Sequence, residues 1–126
     1  MNGEAGDWLA KSEADFGSAR WELQAPKVNY NAVVFHAQQC VEKLMKGVLA
    51  ARGVPFGRTH ELNVLAHLVQ HADPGWSWDA DDLAALQPGA VLLRYPGYSA
   101  SAEDAERAIA ACERMRASLL PLLDPP

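Results

Sequence analysis

Basic residues are in short supply in this sequence. Its 126 residues hold 11 lysines and arginines against 16 aspartates and glutamates, a net charge of −5. That balance removes the broad positive footprint of a protein that coats nucleic acid through phosphates alone, and leaves room only for a local basic patch. Cysteine is nearly missing as well. Cys40 and Cys112 form no CxxC pair and fall on the apolar stripes of two predicted helices. They therefore read as buried thiols of a reducing compartment, with no disulfide framework. No run approaches the roughly 18 uncharged apolar residues that would span a bilayer. The opening MNGEAGDW has neither the basic nor the apolar region of a secretory leader. A soluble, cytoplasmic chain with no membrane contact is expected. The β-branched alternation of strands is absent throughout, which excludes a sheet-built fold. Also missing are GxxxxGK[ST], a GxGxxG after a strand, HExxH and a GxSxG elbow, so their nucleotide, zinc and acyl-transfer sites are excluded. No cofactor is indicated.

What is present is helical periodicity, strongest over Tyr30 to Ala51. Tyr30, Val34, Ala37, Val41, Leu44 and Val48 recur at alternating steps of four and three, one stripe of an α-helix. Val33, Cys40, Met45 and Ala51 widen it into a sector that packs against several neighbours. The opposite face carries Asn31, Gln38, Gln39, Glu42, Lys43 and Lys46, a solvated surface with a Glu42/Lys46 pair at i,i+4. Phe35 projects among these polar residues. It is either a tolerated surface aromatic or the contact of a helix-to-helix homodimer.

The other elements follow from caps and breakers. A first helix is predicted over 7–24, with Asp7 as N-cap and Leu9, Phe16 and Leu23 facing inward, ended by Ala25-Pro26. Asn29 caps the central helix and Gly53 follows it. Thr59 is expected to cap a third helix with Leu62, Leu65, Ala66 and Val69 as its core positions, ending near His71. Asp73-Pro74-Gly75 is a turn, and Trp76 and Trp78 cover core edges. Asp79 opens a fourth helix carrying Leu83 and Leu86 that Pro88-Gly89 breaks. After the Arg94-Tyr95-Pro96-Gly97-Tyr98 turn, Ser101 and Asp104 form a capping box for a fifth helix, which Pro121 and the DPP tail end. The fold expected is all-α: an up-and-down bundle of four long helices plus a short broken one, in one domain over 1–126 with its core at about 7–120.

Two groups invite chemistry. His60, His67 and His71 fall within about 40° of one another on the third helix. With no carboxylate or CxxC to join them, they read as surface histidines ahead of a metal site. Arg94, at a helix end before a rigid turn, either grips a phosphate or carboxylate, or pairs with an acid such as Glu42 to staple the turn.

Taken together, FHAQQCVEKLMKGVLAARGV, RTHELNVLAHLV and LLRYPGYSASAEDAERAIAACE resemble the HEPN family (higher eukaryotes and prokaryotes nucleotide-binding) from about Asp7 to Leu120. The resemblance implies an all-α bundle, usually a homodimer, similar to the substrate-binding domain of aminoglycoside nucleotidyltransferases. In bacteria it implies a minimal nucleotidyltransferase as partner, often as a toxin–antitoxin pair. Catalytic members are metal-independent ribonucleases with an Arg, four to six residues, then a His, acting as phosphate stabiliser and general acid or base. This sequence lacks that motif. No histidine follows Arg94, seven residues intervene between Arg52 and His60, and only one between Arg58 and His60. The resemblance therefore implies a non-catalytic binding module. Its ligand, a nucleotide or RNA, would lie near Arg94, Tyr95, Gln39, Glu42, Lys43 and His60, with Phe35 at the dimer interface and no catalytic or metal residue. The alternative is a ribonuclease pairing Arg94 with His60 or His36 at a nonstandard site.

Overall fold

The computed structural model describes residues 1–124. Five α-helices follow one another: α1 (Gly3–Leu23), α2 (Tyr30–Ala51), α3 (Leu62–Ala72), α4 (Ala80–Leu86) and α5 (Ala102–Leu123). Two 3₁₀ turns, Gln87–Gly89 and Leu92–Arg94, join the last two, and among the described residues there is no strand. The all-α expectation holds. No helix among these residues is long and apolar enough to cross a membrane.

The chain is wound around α2. Its stripe Val34, Ala37, Val41, Leu44 and Val48 is buried, and α1, α3 and α5 pack against it. Contacts at the helix ends fix the directions. The Asn2 side-chain amide donates to the Ala50 carbonyl at 3.0 Å, so α1 starts where α2 ends and the two are antiparallel. Ala100 N–H donates to Asn31 Oδ1 at 2.6 Å, and a Cβ on Gly47 would come within 3.4 Å of Leu123, so α5 runs parallel to α2. Trp76 is buried, its indole N–H donates to Ser118 Oγ at 3.1 Å, and Trp78 stacks on it. The two indoles close the core edge as expected.

Several caps are those the sequence announces. Asn29 accepts from Ala32 N–H at 3.0 Å, Asp79 accepts from Asp81 N–H at 2.8 Å, and Gly53 takes the left-handed position after α2 with φ 68°. Three expectations fail, each because of a distant contact. Asp7 lies inside α1: the helix starts earlier because Asn2 caps it through Ala5 N–H at 2.8 Å while also holding the end of α2. Thr59 does not cap α3. Its hydroxyl accepts from Glu61 N–H, and the free N–H of Leu62 at the helix start donates to Gln87 Oε1 at 2.9 Å. His60 is consequently outside the helix. Pro121 does not end α5 either. Buried Leu119 and Leu123 hold the last turn on the core although the ring removes one N–H. Pro125 and Pro126 of the DPP tail lie outside the described residues.

The Ser101–Asp104 box is closed on both sides, at 3.1 and 2.9 Å. Hydrogen bonds from the Ser101 backbone and then its hydroxyl hold the Asp104 carboxyl below the usual carboxylate range. A group depressed in the folded state contributes above its unfolded pKa, about 4, and that contribution is lost as pH falls through the folded value. Ser101→Ala is therefore expected to cost about 1 kcal/mol in urea denaturation at pH 7. The gap should narrow as the pH falls through the folded-state value of Asp104.

Candidate functional site

The polar face of α2 departs most from the sequence reading. Gln38, Glu42 and Lys46 are not solvated: they are 0%, 3% and 5% exposed. The segment between α2 and α3 folds back over this ridge, and α1 closes it from the other side. Gln38 Nε2 donates to the His60 carbonyl at 3.3 Å. The Lys46 ammonium lies 5.6 Å from the Trp8 ring centre and 5.8 Å from that of Phe56, a cation held against two aromatic rings. Glu42 is the hub of the ridge. It accepts from Lys46 Nζ, Gln38 Nε2 and His60 Nδ1, each at 3.1 Å. Gln39 joins through its own amide, which donates to Gln38 Oε1 at 2.7 Å.

A second carboxylate–histidine pair lies on the α1 side. Asp15, buried on α1, accepts from His36 Nδ1 at 2.8 Å and from Lys43 Nζ at 2.6 Å. Both imidazoles thus have Nδ1 engaged by an acid, leaving Nε2 as the uncommitted nitrogen, an arrangement suited to proton transfer. On the helical wheel of α2, half-buried Phe35 and Gln39 occupy the strip between the two pairs.

Arg94 lies at one end of this strip. It ends the second 3₁₀ turn, its side chain is exposed, and it makes no side-chain hydrogen bond or ion pair with another described residue. The alternative of a staple to Glu42 is overturned, because Glu42 is taken by Lys46 and His60. With Asn29, Asn31, Phe35 and Leu93, Arg94 instead lines a shallow concavity of about 340 Å³.

The predicted ligand residues are therefore divided. Gln39, Glu42 and His60 form one connected cluster, Lys43 is committed to Asp15, Arg94 keeps company with Phe35, and Tyr95 is exposed outside that concavity. Asp15, Gln38, Trp8 and Phe56 were not anticipated as parts of it. One signal was available for Asp15. Ala5, Ser12, Asp15 and Ala19 are the buried positions of α1, and their helical spacing is legible once small and polar residues are allowed to face inward.

The remaining reactive groups are quiet. His67 Nδ1–H donates to the Asn63 carbonyl at 2.7 Å and its ring abuts Trp78, while His71 is exposed. Among the described residues no three His, Cys, Asp or Glu side chains converge as metal ligands. Cys40 and Cys112 are both buried. Contact with Cys40 first, and burial second, push the Cys112 thiol up.

With this geometry in place, comparison with known proteins is decisive. The model of the HEPN domain matches residues 5–120. The chain belongs to the HEPN family. The crystal structure of ST0689, an archaeal HEPN homologue, is similar at 25% identity with a TM-score of 0.67, over 98% of this chain and 100% of that one. None of the curated proteins is detectably similar. No histidine follows Arg94 in this chain. At the shortest ribonuclease spacing stands Ser99, whose hydroxyl has no pKa suited to proton transfer at neutral pH.

Proposed function

We propose that this HEPN domain is a non-catalytic binding module. It works as a homodimer, associates with a separate minimal nucleotidyltransferase in the manner of a toxin–antitoxin pair, and holds a nucleotide or related phosphate-bearing ligand through Arg94. One observation carries the reading. The concavity around Arg94 offers an uncommitted guanidinium, two asparagines and an aromatic ring, and no histidine lines it. Arginine grips phosphate in bidentate fashion, and no histidine stands beside it in the concavity to move a proton. The half-buried Phe35 supplies the dimer contact. The partnership rests on the family resemblance alone, and fits a cytoplasmic bacterial protein whose thiols stay reduced.

The test has two arms. Light scattering of the wild type is expected to give twice the 13.7 kDa chain mass, and Phe35→Glu a monomer. Titration with ATP is expected to weaken at least tenfold in Arg94→Ala, the loss of one charge-assisted contact. A monomeric wild type removes the dimer; unchanged ATP binding removes the ligand role. Purification at native expression level then asks whether a small nucleotidyltransferase accompanies the protein stoichiometrically.

The ribonuclease reading keeps one observation in its favour, the His60 imidazole held by buried Glu42. It requires RNA cleavage by the wild type that both Arg94→Ala and His60→Ala abolish with folding intact. Cleavage that neither change affects would eliminate it.

A further inference from the structure

A second apolar opening lies on the other side of the same segment from the Arg94 concavity. It is a cleft of about 440 Å³ between α4, the segment Leu92–Ala100 and the first turns of α5, within the range of small-molecule sites. Its floor and walls are apolar and contain Val34, Ala84, Ala85, Pro88 and Leu92, with the Tyr98 ring beside them. Ala84, Ala85 and Ala100 make the space, because any larger side chain at these places would fill it. Of the named residues only Leu93 also belongs to the Arg94 concavity. The two openings are separate, and nothing below depends on the function proposed above.

The mouth carries Asp81, Asp104 and Arg107. Arg107 is already answered twice on its own helix, by Glu103 at 3.3 Å and Asp104 at 3.8 Å. Asp104 is held ionised by the Ser101 cap. Asp81 makes no side-chain hydrogen bond or ion pair with another described residue; its own N–H is taken by Asp79. Two carboxylates, Asp81 and Asp104, line the cleft against one guanidinium that Glu103 also answers, so the lining is negative over an apolar interior. An anionic ligand would meet repulsion there. A positively charged group on a flat apolar body would meet attraction above and burial below.

We propose that this cleft binds a small aromatic amine, its ring between Tyr98 and the alanine wall and its ammonium at Asp81. Calorimetric titration with tryptamine and with indole-3-acetate, the same ring with the opposite charge, tests it. Tryptamine is expected to bind with a sub-millimolar Kd, and indole-3-acetate at least tenfold more weakly. Asp81→Asn should weaken tryptamine about fivefold, the worth of one partly exposed charge contact. Ala84→Phe, at an exposed position that folding tolerates, should abolish binding, with circular dichroism verifying the fold of both variants. Absence of tryptamine binding at millimolar concentration, equal binding of the two indoles, or binding unmoved by Ala84→Phe would each overturn the proposal.

Discussion

Glu42→Ala is expected to destabilise the protein by about 3–5 kcal/mol, a large share of the roughly 5–15 kcal/mol that holds a domain together. The reason is what would remain. Lys46 is 5% exposed, and its ammonium would be left with the Trp8 and Phe56 rings but no counter-charge. Gln38 and His60 would each lose an acceptor at the same time. The pair as a unit is a different matter, since a buried ion pair recovers in attraction about what it loses in hydration. Glu42→Leu combined with Lys46→Met should therefore lie within about 1–2 kcal/mol of the wild type, far closer than Glu42→Ala alone. Guanidinium denaturation of the three proteins checks this. If Glu42→Ala costs less than 1 kcal/mol, the ridge is hydrated in solution and the argument for a buried hub falls.

Gly89→Ala is expected to cost about 1–3 kcal/mol or somewhat more, as overpacking against a rigid neighbour does. A Cβ there would lie 2.6 Å from the Val34 carbonyl oxygen and 3.0 Å from the Gln38 Cβ. The first of these is helix backbone, which cannot rotate away, so the 3₁₀ turn itself has to lift. Lifting it moves the segment that carries Leu93 and Arg94, and the side chain of Gln87 that caps α3. The change should thus perturb amide resonances at the start of α3 and around Arg94 together, beyond the lowered midpoint of thermal unfolding. A perturbation confined to residues next to position 89 would argue that the turn absorbs the methyl locally.

The two variants locate the boundary between sequence and structure. Periodicity and caps made α2 legible from Tyr30 to Ala51, because an apolar stripe at helical spacing has one way to be satisfied. The absence of strands, the Asn29 and Asp79 caps, the Ser101–Asp104 box and the tryptophan cover were legible for the same local reasons. So was the absence of the ribonuclease spacing after Arg94, which is a property of order along the chain.

The site was readable as a set of residues and not as an arrangement. A polar face on a helix normally means water, and nothing in Gln38, Glu42 and Lys46 says that a returning loop and α1 will cover them. Lys43 and Glu42 are neighbours in sequence, yet one is drawn to Asp15 and the other to His60, a choice made by which helix packs on each side of α2. Local sequence determined the helices, since their hydrogen bonds and stripes involve residues three and four apart. Only the tertiary structure decided which charges were buried, which partner each took, and that Arg94 was left free beside Phe35, because those outcomes depend on surfaces brought together from distant parts of the chain.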